Sequence, residues 1–262
     1  MLNCTIDGPI ATLTLARSER YNAITVELMQ ALIDQAAALS DQDDVRAVIL
    51  NAEGKHFSVG ADQKSGAPEG ASTGRPSLLA RRRQTELGQR LMRALRELRQ
   101  PTICAIQGVA TGGGACIAMA CDFRVADSTA RLGFGEVKLG MNLMWQAVPL
   151  CTALIGPARA KRMIMTGALF PAAQVEPWGL LDEVVAPEDL AGAARRWADE
   201  YAALPPVAVQ MIKRSINAVT GPLDAAIMHM DADQFLLATA TQDSREGRKA
   251  FLEKRTPRFT GN

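Results

Sequence analysis

The stretch that most constrains this chain is Ala105-Ile106-Gln107-Gly108-Val109-Ala110-Thr111-Gly112-Gly113-Gly114-Ala115-Cys116. An apolar, β-branched run from Thr102 to Val109 reads as a buried strand. Three consecutive glycines follow, and then an apolar segment through Ala115, Ile117, Ala118 and Met119 that reads as a helix start. The first N–H groups of a helix have no partner inside it, and the helix dipole adds partial positive charge there. Glycine lets another molecule come close to that backbone. Strand, glycine turn and helix start therefore describe either a tight packed turn or a place where backbone N–H groups face a ligand.

A second glycine stretch, His56-Phe57-Ser58-Val59-Gly60-Ala61-Asp62, weighs toward the ligand. Together the two stretches resemble the crotonase (enoyl-CoA hydratase/isomerase) superfamily. The resemblance runs over nearly the whole chain. It includes Arg20-Tyr21-Asn22-Ala23, the run Ala120-Cys121-Asp122-Phe123-Arg124-Val125-Ala126 and the closing Phe251-Leu252-Glu253-Lys254-Arg255. It implies an α/β fold, a crotonase-like spiral of ββα units over residues 1–200 with a C-terminal α-helical trimerisation region at 201–262. It also implies that the N–H groups of Ala61 and Gly113 hold a thioester oxygen, and that the oligomer is a homotrimer or a dimer of trimers.

Periodicity alone supports an α/β core. Residues 2–7 and 10–15 read as strands joined by the turn Asp7-Gly8-Pro9, and Val45 to Leu50 as another strand. Thr25 is a candidate cap for a helix reaching about Leu39, with Leu28, Leu32, Ala36 and Leu39 on one face. The Gly-, Ser- and Pro-rich residues 64–76 read as a mobile loop, and Ser77 to Leu98 as a long helix. Its Arg81, Arg82 and Arg83 are either a solvated face or a contact to phosphates. Further strands are expected at Phe123 to Ala126 and Glu183 to Val185, and a helix at Pro157 to Thr166. From Glu188 onward only helices are expected, at 188–203, 206–219, 223–241 and 243–255.

The candidate chemistry is that of an enolate. Proton loss beside a thioester carbonyl places negative charge on oxygen, and two preorganised N–H donors stabilise it. Hydratases of the family use two glutamates. The position of the first is Cys116 here, and that of the second is Glu136, within Leu132-Gly133-Phe134-Gly135-Glu136. With one glutamate the simpler reaction is proton shuttling, as in Δ3,Δ2-enoyl-CoA isomerases, and the resemblance implies an isomerase- or hydratase-type reaction on a non-standard acyl group. A C–C lyase, a hydrolase, and a catalytically impaired member that binds acyl-CoA or a protein partner are the alternatives. No sequence neighbour supplies Cys116 with a base, so it reads as a packing residue rather than a nucleophile. Met141, Met144 and Trp145 stand where the family has small residues, which implies a reshaped acyl pocket. The resemblance places Arg20, Ala23, Gly60, Asp62, Gln63, Gly112, Cys116, Phe251 and Lys254 along the CoA ester, Phe251 and Lys254 reaching a neighbouring subunit's site.

The remaining expectations are exclusions. A formal net charge of +1 argues against a nucleic-acid partner, and no apolar run is long enough for a membrane span. Five cysteines without a CxxC pair suggest free thiols in a reducing cytoplasm, and no secretory signal is legible. No cofactor is expected beyond the coenzyme A that is part of the substrate.

Overall fold

The computed structural model describes residues 1–62, 77–221 and 230–262. The stretch at 64–76, Gln63, His229 and the first part of the helix expected at 223–241 lie outside the described residues. Six strands form the main sheet: β1 (Leu2–Asp7), β2 (Ile10–Leu15), β3 (Ala47–Ala52), β4 (Thr102–Ile106), β6 (Phe123–Asp127) and β9 (Glu183–Val185), in that spatial order. Only the β1–β2 hairpin is antiparallel. A smaller sheet holds β5 (Val109–Thr111), β7 (Arg131–Gly133) and β8 (Leu169–Pro171).

Parallel strands buried on both faces read as continuous apolar runs, and here the alternation sorts them between two cores. Val48, Leu50, Cys104 and Ile106 face the larger core, with helices α1 (Val26–Ser40), α2 (Leu78–Glu97) and α3 (Gly113–Ala120). Ala47, Ile49, Ile103, Ala105 and Val125 face the other way, onto Leu190, Ala193, Ala194 and Ala198 of α6 (Leu190–Ala202). Thr25 caps α1 by accepting the Leu28 N–H at 3.2 Å, and Ser77 caps α2 by accepting that of Ala80 at 3.1 Å. The remaining helices are α4 (Ala147–Thr166), α5 (Ala172–Val175), α7 (Pro206–Thr220), α8 (Asp231–Ala240) and α9 (Gln242–Leu252). After α6 the described residues contain helices and no strand. Lys213 ties α7 to the core, donating to Asp122 Oδ2 at 2.6 Å and the Gln100 carbonyl at 2.8 Å. No helix among the described residues is long and apolar enough to cross a membrane.

The structure corrects the single strand expected from Thr102 to Val109. The chain leaves the main sheet at Ile106, turns a corner at Gly108 (φ +57°) and continues as β5 in the small sheet. The corner is held from the β3 side: Gln107 Nε2 donates to the Ala52 carbonyl at 2.6 Å, and His56 Nδ1 accepts the Val109 N–H at 3.2 Å. These contacts are non-local, so an apolar run cannot reveal the break. The same long step, from a main-sheet strand to a small-sheet strand to a helix, recurs as β4–β5–α3 and β6–β7–α4. Residues 57–58 make the equivalent step before α2, bridging Ser58 to Ala110. Strands β7 and β8 are three residues each, too short for a period to show. The helix expected at Pro157 begins earlier, at Ala147, and kinks at Gly156.

A Cβ at Gly108 would collide with the Lys55 carbonyl while adopting an unfavourable positive φ. Gly108→Ala should therefore cost at least about 1–3 kcal/mol, the range for one strained residue, read as a lowered urea midpoint with an unchanged slope.

Candidate active site

The candidate site is built where the two glycine loops meet. Asn22, fully buried at φ +54°, organises the first. Its Oδ1 accepts the Arg17 N–H at 2.9 Å, and its Nδ2 donates to the carbonyls of Glu53 at 2.8 Å and His56 at 2.9 Å. Its own carbonyl accepts the Ser58 hydroxyl at 2.8 Å. Ile24 then pairs with the loop as a short parallel bridge, donating to the Gly60 carbonyl and accepting the Asp62 N–H, both at 2.9 Å. In such a bridge Ala61 itself turns its N–H away from Ile24.

Ser58 links this loop to β5, donating to the Val109 carbonyl and accepting the Thr111 N–H, both at 3.0 Å. The two loops then touch directly: a Cβ on Gly60 would lie 2.9 Å from the Thr111 carbonyl and 3.4 Å from the Gly113 nitrogen. Gly113 opens α3, so its N–H has no partner within the helix. Among the described residues neither the Ala61 N–H nor the Gly113 N–H makes a hydrogen bond.

Glu136 begins a short 3-10 turn, Glu136–Leu139, that brings its carboxyl over the second loop. Its Oε1 lies 2.8 Å from where a Cβ on Gly112 would stand, and its Oε2 is sealed from solvent without a partner. Burial pushes the Glu136 carboxyl above the ordinary carboxylate range, partly offset by N–H groups of its own turn. Cys116 lies one turn into α3 and is 2% exposed. Burial, with the nearby carboxylates of Glu136 and Asp231, pushes its thiol well above its usual value, so the sulfur stays protonated and unsuited to nucleophilic attack. The structure thus favours packing at Cys116. His56 is pushed below its usual value by burial and by Lys55, and its Nδ1 is already engaged by Val109.

Of the other sequence candidates, Gly60, Asp62 and Gly112 belong to the two joined loops, and Ala23 immediately precedes Ile24, which bridges to the first. Arg20 is exposed on the adjoining turn, and Asp62 pairs with Arg17 at 2.7 Å. Phe251 is 68% exposed at the end of α9, with Lys254 just beyond it, and among the described contacts neither reaches the loops of its own chain. Gln63 lies outside the described residues. Sequence reasoning missed Asn22 and Ser58 as organisers, although both sit inside the stretches that carried the resemblance. It also missed Asp231, whose contacts span 85 residues of sequence and leave no local signal.

The comparisons with known proteins bear on the family and the fold. The family model for enoyl-CoA hydratase/isomerase matches residues 5–262. A crotonyl-CoA hydratase of Syntrophomonas wolfei is 33% identical over 256 residues, covering 95% of this chain and 94% of that protein. A 1,2-epoxyphenylacetyl-CoA isomerase of Escherichia coli is 32% identical over 259 residues, covering 98% and 97%. The crystal structure of an enoyl-CoA hydratase/isomerase from Pseudoalteromonas atlantica superposes with a TM-score of 0.87 at 28% identity over 99% of both chains. The chain belongs to the enoyl-CoA hydratase/isomerase family and has the crotonase fold, with a C-terminal helical region.

Because its pKa is raised in the fold, ionised Glu136 opposes folding. Its contribution to stability is complete while both states are protonated and is lost as pH rises through the folded value. Glu136→Gln should therefore melt above the wild type at about pH 8, with the difference vanishing toward about pH 4. Paired thermal melts across that range check the sign.

Proposed function

We propose that the chain turns over an acyl-CoA thioester through an enolate, with Ala61 and Gly113 holding the thioester oxygen and Glu136 moving the proton. The observation that carries this reading is an unpartnered, buried carboxylate oxygen beside a loop pair whose two N–H groups are also unpartnered. Three such groups in one place cost stability; a thioester oxygen would accept from the two N–H groups, and the acidic C–H on its carbon 2 would face the carboxylate. The Glu136 carboxylate takes the proton from carbon 2 of a 3-enoyl thioester, and the electron pair passes into the dienolate on oxygen. The same carboxyl then returns the proton at carbon 4 as the double bond re-forms between carbons 2 and 3.

A single carboxylate suffices for this shuttle, whereas Cys116 gives no second group to activate water. Isomerase-type chemistry on a non-standard acyl group is thus favoured over hydration; C–C cleavage, hydrolysis or binding without turnover are the rival readings. Arg20, Ala23, Gly60, Asp62, Gln63, Gly112 and Cys116 would line the ester. Phe251 and Lys254 would contact the nucleotide of a neighbouring subunit, which explains why they face outward in the single chain. The residues from 201 onward would form that interface, since Val207, Met211, Ile212, Ile216 and Val219 leave an apolar face of α7 exposed. The buried free thiols suit a cytoplasmic setting.

Glu136→Gln should lower turnover of a 3-enoyl-CoA by at least ~10²-fold. In the wild type kcat/KM should rise with pH through a midpoint above the ordinary carboxylate range. An unchanged rate in the variant would sink the assignment of Glu136. Light scattering at micromolar concentration should give the mass of a trimer or a dimer of trimers; a monomer would remove the shared nucleotide site.

A further inference from the structure

The mechanism above leaves a second buried carboxylate unused. Asp231, 2% exposed at the start of α8, accepts the Gln146 N–H at 3.3 Å, and the Gln89 side chain and the Trp145 backbone also stabilise its charge. Trp145 and Gln146 both hold left-handed backbone, at φ +62° and φ +57°. Residues with a Cβ seldom adopt that conformation, and two in succession require an outside restraint. The bond from Gln146 to Asp231 is such a restraint, and its acceptor comes from a helix remote in sequence.

The restraint has a consequence for the indole. Trp145 is 7% exposed and is wedged between two glycines. The six-membered ring rests on Gly113, where a Cβ would lie 2.5 Å from Cζ3 and 2.9 Å from Cη2. The pyrrole edge rests on Gly88 of α2, where a Cβ would collide with Nε1 and Cδ1. The ring therefore spans the gap between α2 and α3 and stands on the very residue that offers one of the two free N–H groups. Ile24, which bridges to Ala61, also touches the Gly113 corner.

We propose that Trp145 is the rigid end wall of the acyl pocket, restricting the site to short acyl groups, and that Asp231 is the positioning residue that clamps Trp145 there. This rests on the reading that a thioester binds at Ala61 and Gly113. A carbonyl held at the Gly113 N–H lies beside the residue on which the indole stands, and a clamped ring in a packed interior cannot swing aside without breaking the Gln146–Asp231 bond. Gly88 and Gly113 are the complementary notch: neither position accepts a side chain while the ring is in place.

The test is a chain-length profile read as binding, so that it does not depend on turnover. Dissociation constants for butyryl-CoA and decanoyl-CoA are measured by calorimetry on the wild type, Trp145→Ala, Asp231→Ala and Asp231→Ala with Gln146→Gly. The wild type should prefer butyryl-CoA by ~10-fold or more, the scale on which a closed apolar pocket rejects extra methylenes. Trp145→Ala should bring the two constants close to parity by gaining decanoyl-CoA affinity. Asp231→Ala should shift the ratio the same way, and adding Gln146→Gly should restore part of the preference, because glycine holds positive φ without the carboxylate. A purely structural role for Asp231 would not be rescued in this manner. Asp231→Asn, which keeps one acceptor, serves if the alanine variant does not fold, and should move the ratio in the same direction by less. Equal affinities in the wild type, or an unchanged ratio in folded Trp145→Ala, would overturn the wall while leaving the acyl-CoA reading intact. Absence of binding by either thioester in the wild type would overturn both.

Discussion

The close approach of two backbones at Gly60 and Gly112–Gly113 is the constraint on which the rest of the candidate site depends. No side chain fits at that contact, since a Cβ on Gly60 would stand 2.9 Å from the Thr111 carbonyl. Because the loops touch, the N–H groups of Ala61 and Gly113 keep a fixed separation without any side chain to set it. One donor of an oxyanion site is worth roughly 3–4 kcal/mol of transition-state stabilisation, and that value depends on donors that need not move. The hydrogen bonds of Asn22 and Ser58, the corner at Gly108 and the parallel bridge at Ile24 all serve to hold this one contact. They join segments far apart in sequence, so the site exists only once the spiral has closed.

Electrostatics then separates the groups near the contact. Glu136 is buried with one oxygen unsatisfied, which raises its pKa and makes it a better acid and base near neutrality. A second carboxylate at the position of Cys116 would face both Glu136 and Asp231 in a poorly solvated space. Like charges so placed raise one another's pKa or must find bonds to share. A protonated thiol avoids that conflict and still fills the volume. A thiol at position 116 is therefore coherent with its surroundings.

Much of the fold was legible because it is written in local chemistry. Thr25 and Ser77 are ordinary caps, the strands that are buried on both faces are continuous apolar runs, and Gly8-Pro9 marks the first turn. The two glycine loops and Glu136 were legible through their resemblance to a family, and the geometry brings these residues together. What could not be read has a common cause. The corner at Gly108 is imposed by Lys55 and His56, the strands β7 and β8 are defined only by their pairing, and the role of Asn22 lies in carbonyls more than thirty residues away. Phe251 and Lys254 are a different case: both are exposed, and among the described residues their side chains meet no partner.

The segment from Gly140 to Gln146 fits a bulky residue into the space between α2 and α3. Small residues there would leave the space between α2 and α3 open. Trp145 fills it only because Gly88 and Gly113 both lack a side chain, so three positions in three elements are coupled. The bulky residue also needs a backbone that two L residues dislike, a strain of order 1–3 kcal/mol for each. A hydrogen bond from a buried N–H group to a carboxylate, about 1.5–3 kcal/mol, is of the size needed to offset part of it, and Asp231 accepts that of Gln146. The carboxylate is supplied by α8, in the helical region that follows the spiral. The C-terminal helical region thus reaches back to the loops of the core, so the backbone at Gln146 depends on the docking of α8.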